Sequence, residues 1–143
     1  MELRIIRSWL FVPADSERKL AKGHKIPANA LILNLEDAVA DDRQGIARDL
    51  ARKYLQNHVD RKRQQLWVRI NPLDHDFSLN DLATVLPGAP NGIVLPKVNA
   101  ADDINRLSER LSALEAAVGI EIGSTKIMSV ATETADPLLE PPG

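Results

Sequence analysis

The stretch Ala30-Leu31-Ile32-Leu33-Asn34-Leu35 is a short, almost entirely apolar run, and a segment with helical spacing begins soon after it, at about Asp42. Apolar residues in that segment recur every four positions, which predicts a helix with one face against a core. A buried strand followed by such a helix is typical of a βα unit. The two rows of the helix are Ile46, Leu50 and Tyr54, and Ala47, Ala51 and Leu55.

The same alternation recurs on both sides of this stretch. Short apolar segments occur along the whole chain, and most are followed by a segment with helical periodicity, which predicts a parallel sheet of α/β type. Asp15 is predicted to cap the first helix and Gly23 to end it. The predicted strands are residues 8–12, 30–35, 66–70, 92–96 and 126–130.

This pattern of strands fits two architectures. One is an open doubly wound sheet, and the other is part of a (β/α)8 barrel of the TIM type. We predict one partial barrel domain over residues 1–135 and a proline-rich tail over residues 136–143. Both architectures gather their catalytic groups at the carboxyl ends of parallel strands, so functional residues are sought there.

Composition excludes several classes of function. The chain has 143 residues, 44% of them hydrophobic, a net charge of −2 and no cysteine. It can therefore bury a sizeable core, but it has no disulfide framework, Cys-based zinc site or Cys nucleophile. The balanced charge argues against nucleic-acid and membrane partners, and we interpret the one basic cluster, Arg61-Lys62-Arg63, as a solvated turn. Without a long apolar span or a signal-peptide core, a cytoplasmic location is expected.

Polar residues stand at the ends of the second and third predicted strands. With period-two alternation, Asn34 shares a face with Glu36. On the neighbouring strand Arg69 shares a face with Asn71, so Glu36 is predicted to point into a barrel mouth beside Arg69. An arginine held by a glutamate presents a rigid fork of donors that matches a carboxylate, which indicates binding of a substrate acid group. A purely structural Arg–Glu pair inside the sheet explains the same residues equally well.

Two further charged residues follow the later strands. Lys97 follows the fourth predicted strand and Glu133 follows the fifth, positions where charged side chains are usually solvated. Lys97 is a candidate substrate-binding residue. Glu133 is a candidate ligand for Mg²⁺, which takes one or two carboxylates and leaves its other positions to water and substrate. The three histidines do not fall at a zinc-ligand spacing, and we assign them no role: His24, His58 and His75.

Four stretches carry a more specific signal because they stand in order at successive predicted strand ends and cover nearly the whole chain. They are Arg7-Ser8-Trp9-Leu10-Phe11-Val12-Pro13-Ala14-Asp15, Leu35-Glu36-Asp37-Ala38-Val39, Val68-Arg69-Ile70-Asn71-Pro72-Leu73 and Gly92-Ile93-Val94-Leu95-Pro96-Lys97-Val98. Together they resemble the citrate lyase β-subunit family, also called the HpcH/HpaI aldolase or CoA ester lyase family. Residues 123–134 are similar to the fifth strand of that family.

The resemblance implies a (β/α)8 barrel that makes or breaks a carbon–carbon bond in CoA esters of hydroxy acids, with Mg²⁺ as Lewis acid. It implies that Arg69 binds the carboxylate or carbonyl oxygens of the substrate and that Glu133 binds the metal. Glu36 and Asp37 match the family's acidic pair, which supports the arginine and the water shell of the metal. The predicted catalytic residues are therefore Arg69, Glu36 and Asp37, and the expected ligand is an acyl-CoA or hydroxy acid.

Two departures from the family pattern shape these expectations. The family usually has aspartate at the position of Asn34. A complete barrel takes about 250 residues, so we expect an N-terminal portion with about five of eight units and without the family's second metal-binding aspartate. The leading hypothesis is a carbon–carbon lyase, and the alternative is a non-catalytic truncated relative that serves as a binding or assembly subunit. Because five parallel strands leave two open edges, we expect a homo-oligomer or a partner chain that supplies the missing strands.

Overall fold

A computed structural model describes residues 8–36, 39–96 and 101–130 of the chain. Five strands alternate with four α-helices, and single turns of 3₁₀ helix lie at Asp41–Arg43 and Leu86–Gly88. The predicted tail, residues 136–143, lies outside the described residues. In chain order the elements are β1 Trp9–Pro13, α1 Glu17–Lys25, β2 Ala30–Asn34, α2 Gln44–Asn57, β3 Gln65–Arg69, α3 Phe77–Val85, β4 Gly92–Pro96, α4 Ala101–Val118 and β5 Lys126–Val130.

The order of the strands decides between the two predicted architectures. All described neighbours pair in parallel, in the order β1-β2-β3-β4-β5. A doubly wound sheet reverses its strand order at a switch point and carries helices on both faces, whereas this sheet runs in one direction. The fold is therefore α/β of the parallel TIM-barrel type, as predicted, with five described strands that do not close into a barrel.

The two faces of the sheet pack differently. The helix-side core contains buried residues from α1, α2, α3 and α4 together with alternate strand residues such as Leu33, Val68 and Leu95. The opposite face, which we call the inner face, carries a smaller cluster with no helical member. Helices on one face only are the arrangement of a barrel wall. The inner-face cluster consists of Ala30, Ile32, Trp67 and Val94, with Trp9 and Met128 packed against it.

Of the two predicted rows on α2, one is fully buried and the other is partly buried. Ala47, Ala51 and Leu55 lie in the helix-side core, whereas Ile46 is 46% exposed. The prediction that the Ile46 row also faces the core is therefore wrong at its first position. Leu50 and Tyr54, the other members of that row, are partly buried and pack against the helix-side core. None of the helices described is both long and apolar enough to cross a membrane.

The first helix begins one residue later than predicted. Ser16 is its N-cap, and the Ser16 Oγ accepts a hydrogen bond from the backbone N–H of Lys19 at 3.2 Å. Asp15, the predicted cap, instead accepts from Arg43 Nε at 2.9 Å. This ion pair connects the end of β1 to the turn before α2, and the serine hydroxyl satisfies the first turn of α1.

The basic cluster is not a simple solvated turn. Arg61 is half-buried and donates to the carbonyls of Leu55 and Ala89, at 3.1 and 2.6 Å. Burial lowers the pKa of Arg61. The prediction holds for the exposed Lys62 and Arg63 but is wrong for Arg61, which joins the end of α2 to the loop before β4.

Glu115 on α4 is a buried carboxylate that closes the turn before β5. Its Oε1 accepts from the Gly123 N–H at 2.7 Å and its Oε2 from the Thr125 N–H at 2.9 Å. Burial alone raises the pKa of a carboxyl, but the donors of Gly123 and Thr125 outweigh it and hold the pKa of Glu115 below its usual value. The charged form is therefore the one that the fold stabilises.

Glu115→Gln is expected to lower the free energy of unfolding by about 1.5–3 kcal/mol at pH 7, because an amide accepts only one of the two bonds and turns a donor toward the other. Since the folded pKa lies below the unfolded one, this contribution is present above about pH 4.5 and is lost as the pH falls through the folded pKa. Urea unfolding at several pH values checks this, with exposed Glu109→Gln as the control. A difference between Glu115→Gln and the native chain that is constant with pH would contradict the prediction.

Candidate functional site

The candidate site lies at the carboxyl ends of β2 and β3. Asn34 and Arg69, the last residues of these strands, are partners in the parallel register. Arg69 Nη2 lies 3.0 Å from Glu36 Oε1, and both side chains are mostly buried, with 14% and 10% exposed. The structure therefore brings Glu36 and Arg69 together, as the alternation of side chains predicted. Their catalytic and substrate-binding roles stay predictions.

Phe11 on β1 also contacts the arginine. The guanidinium carbon of Arg69 lies 5.7 Å from the centroid of the Phe11 ring, within the range of a cation–π contact. The ring is 47% exposed and so forms part of the site surface. Sequence reasoning did not assign Phe11, although period-two alternation along β1 places it on the same face as Trp9.

The turn after β2 is set by the side chain of Asn34. Its Oδ1 accepts a hydrogen bond from the Glu36 N–H at 2.9 Å, and Asn34 is only 6% exposed. This bond to the second residue along the chain is typical of an Asx turn. A neutral amide thus orients Glu36 at the position where the family usually has aspartate, and it adds no negative charge beside the Arg69–Glu36 pair.

Asn71 does not lie on the face predicted for it. Its side-chain Nδ2 and its backbone N–H both donate to Asp81 Oδ2, at 2.8 and 3.0 Å, and Asn71 is 5% exposed. Asn71 therefore points to the helix side, away from the face of Arg69. Strand pairing of β3 ends at Arg69, so alternation no longer governs the residues beyond it.

Asp81 is a buried residue of this region that sequence reasoning missed. It lies on α3, is fully buried, and also accepts from Arg48 Nε at 2.9 Å. One signal was available, because Asp81 directly precedes Leu82 on a short helix whose inward face is otherwise apolar or small. A lone acid in such a helix is more often solvated.

Three predicted site residues cannot be compared with the geometry. Asp37, Lys97 and Glu133 lie outside the described residues. Their positions in the chain follow from the described residues next to them. Asp37 follows Glu36, Lys97 follows the last residue of β4, and Glu133 comes three positions after the end of β5.

The acidic residues at these strand ends have the donor chemistry of a magnesium site. Carboxylate oxygens are the hard ligands that Mg²⁺ prefers. Within residues 8–36, 39–96 and 101–130, no group of three or more His, Cys, Asp or Glu side chains is close enough to hold a metal. Of the predicted acidic set, Glu36 is the member that the structure describes, and it faces Arg69.

Comparison with known proteins identifies one family over most of the chain. A family model described as HpcH/HpaI aldolase/citrate lyase matches residues 7–140. The citrate lyase subunit beta of Escherichia coli strain K12 is 34% identical over 126 residues, which cover 88% of this chain and 41% of that protein. A (3S)-malyl-CoA thioesterase of Cereibacter sphaeroides is 38% identical over 103 residues, which cover 72% of this chain and 36% of the relative. The chain thus spans about two fifths of the length of these curated relatives.

A solved structure adds a match in three dimensions. The protein CitE from Mycobacterium tuberculosis, in complex with magnesium and acetoacetate, is 30% identical with a TM-score of 0.65. The match covers 90% of this chain and 56% of that one. Sequence motifs, strand order and the family match over residues 7–140 agree, and the chain belongs to the HpcH/HpaI aldolase/citrate lyase family.

Proposed function

We propose that this chain provides the acid-binding part of a carbon–carbon lyase that acts on CoA esters of hydroxy acids with the help of Mg²⁺. The observation that carries the proposal is the position of Arg69, which is paired with Glu36 and contacts the Phe11 ring at the carboxyl edge of a parallel sheet. Substrates of barrel enzymes bind at this edge. The family membership of the chain supports the same class of reaction.

The proposed reaction breaks the bond between a hydroxyl-bearing carbon and the carbon next to the thioester carbonyl. The hydroxyl loses its proton and becomes a carbonyl, and the bonding electrons pass to the CoA fragment as an enolate, which is then protonated to an acyl-CoA. Arg69 binds the carboxylate beside the hydroxyl-bearing carbon and keeps that half of the substrate in place. Glu36 holds the guanidinium so that its orientation is fixed before the substrate arrives.

Magnesium fits this proposal through the acidic residues of the strand ends. We propose Glu133 as its protein ligand, with Glu36 and Asp37 near its water shell and Lys97 as a further contact to the substrate. When bound, Mg²⁺ supplies Lewis-acid polarisation of the hydroxyl or keto oxygen. Cleavage of a substrate whose carboxylate is attached to the hydroxyl-bearing carbon releases a 2-keto acid, a class that includes pyruvate. Another small keto acid, acetoacetate, accompanies magnesium in the matching CitE structure.

A second candidate is hydrolysis of the thioester. The relative from Cereibacter sphaeroides is named (3S)-malyl-CoA thioesterase and is 38% identical over the matched region. In that reaction water attacks the thioester carbonyl and the CoA thiol leaves, while the carbon–carbon bond stays intact. The same Arg69 contact to the acid group serves both reactions, so the products must distinguish them.

The test incubates the chain with (3S)-malyl-CoA and Mg²⁺ and follows two products. Lyase activity releases glyoxylate, which phenylhydrazine traps, without free thiol, and thioesterase activity releases the CoA thiol without a keto acid. Binding of pyruvate, measured by titration calorimetry, tests recognition of the acid separately from turnover. We expect pyruvate binding by the chain, and glyoxylate formation where a second copy or a partner chain supplies the missing strands. Thiol release alone would favour the second candidate, and a folded chain with neither product nor binding would contradict the proposal.

A further inference from the structure

We propose that Asp81 is a positioning residue for the Arg69–Glu36 pair. It does not touch the inner face of the sheet. Its buried carboxylate fixes the two strand ends that carry the pair, acting from the helix side. The consequence for ligand binding rests on the proposed function, whereas the effect on the geometry of Arg69 does not.

Both oxygens of the Asp81 carboxylate are used. Oδ1 accepts from Arg48 Nε at 2.9 Å, and Oδ2 accepts from the backbone N–H and the side-chain Nδ2 of Asn71, at 3.0 and 2.8 Å. The guanidinium carbon of Arg48 lies 5.3 Å from the ring centroid of Phe77, the first residue of α3, which also carries Asp81. A buried charge with this set of partners is satisfied and rigid.

The network continues to the end of β2. Asn71 Nδ2 lies 3.3 Å from the carbonyl oxygen of Leu35, which also accepts from Gln44 Nε2 at 3.0 Å. Gln44 Oε1 in turn lies 3.2 Å from Asn71 Nδ2. A single buried group of polar atoms therefore joins α2, α3 and the ends of β2 and β3.

The residues held by this network are chain neighbours of the site residues. Leu35 directly precedes Glu36, and Asn71 comes two positions after Arg69. The Leu35 N–H also donates to the Arg69 carbonyl at 2.9 Å. Because Leu35 is held through both its N–H and its carbonyl, the network limits movement of the backbone on which Glu36 and Arg69 meet. The side chains of a functional site keep their geometry to within about 0.5 Å only when the residues packed around them hold them in this way.

The key variant is Asp81→Asn, which preserves volume but removes the charge and turns a donor toward Arg48 or Asn71. Its matched control is Asp49→Asn on the exposed surface of α2, where the acid lies 3.9 Å from Arg52. Since loss of a buried charge can unfold a protein, a second variant, Gln44→Met, removes the amide contact to Leu35 and retains similar volume. Folding of each variant is verified by circular dichroism.

The first measurement needs no ligand. The side-chain Nε–Hε signal of Arg69 in a ¹H–¹⁵N spectrum, identified by its loss in Arg69→Lys, reports the environment of the guanidinium. We expect Asp81→Asn and Gln44→Met to shift or broaden this signal and Asp49→Asn to leave it unchanged. An unchanged Arg69 signal in folded Asp81→Asn would overturn the inference. If Asp81→Asn does not fold, an unchanged signal in Gln44→Met would overturn it instead.

The second measurement is a double-mutant cycle on pyruvate binding with Mg²⁺ present. We expect Asp81→Asn to weaken pyruvate binding three- to tenfold in the wild-type background and less than twofold in the Arg69→Lys background. If Asp81 acts through Arg69, its substitution has little further effect on binding once the Arg69 guanidinium is absent. Equal losses in both backgrounds would indicate general structural damage and overturn the inference. If the wild-type chain binds no pyruvate while the Arg69 signal still responds to Asp81→Asn, the proposed function fails and the positioning role stands.

Discussion

Arg69→Lys is expected to reduce both pyruvate binding and (3S)-malyl-CoA turnover by about tenfold or more. Lysine retains the positive charge but has a single ammonium group in place of the planar fork, so it cannot bind a carboxylate through two parallel hydrogen bonds. It also loses the flat surface that lies over the Phe11 ring. Calorimetry and the two-product assay measure the change.

The control for this variant is Arg18→Lys, at an exposed position on α1, which is expected to leave binding and turnover unchanged. Glu36→Gln provides a comparison within the site, because it preserves shape and removes the charge 3.0 Å from Arg69. We expect Glu36→Gln to weaken binding less than Arg69→Lys does. Near wild-type turnover in Arg69→Lys would remove Arg69 from the mechanism and favour the structural interpretation of the pair.

Gly92→Ala is expected to destabilise the fold by about 3 kcal/mol and to lower the Tm by roughly 10 °C. Gly92 opens β4 and is the register partner of Trp67 on β3. A Cβ at this position would overlap the six-membered ring of the Trp67 indole. The ring is held in the inner-face cluster and contacts Trp9 edge to face at 5.5 Å, so it cannot move aside without disturbing its neighbours.

The matched control is Gly45→Ala in the first turn of α2, where an added Cβ meets no atom within 4 Å. That change is expected to be neutral or to stabilise the fold by up to about 0.5 kcal/mol, since alanine is the better helix former. Thermal unfolding of both variants, of Trp67→Leu, and of Gly92→Ala combined with Trp67→Leu checks the cause. A smaller loss in the combined variant than the two single losses predict would identify the indole as the obstacle. Equal stability of Gly92→Ala and Gly45→Ala would show that the predicted overlap is absent.

The sequence was sufficient for the strands because their apolar runs are short and clearly bounded. The predicted bounds of β4 and β5 agree with the structure, and β2 and β3 differ by a single residue at their ends. The pairing of Glu36 with Arg69 was predictable because alternation holds up to the strand ends. It fails at Asn71, whose direction depends on Asp81, a residue ten positions away on another element.

The ends of the helices and the polar contacts could be identified only in the structure. Asp15 and Ser16 are both good capping residues, and the competing ion pair with Arg43 selects the serine. Arg61 looks solvated from its charged neighbours, but it donates to the carbonyl of Ala89, which lies 28 positions away in the sequence. Such choices depend on tertiary contacts and leave no local pattern.

The uninterrupted order of the strands also bears on how the chain folds as it is synthesised. β2 pairs with β1, β3 with β2, β4 with β3 and β5 with β4, so each described strand meets a neighbour that the ribosome has already produced. Contacts between segments close in the chain form fastest, and synthesis proceeds slowly enough for early segments to fold first. Arg69 and Glu36 can therefore come together on the nascent chain once β3 has emerged from the ribosome, before β4 has emerged.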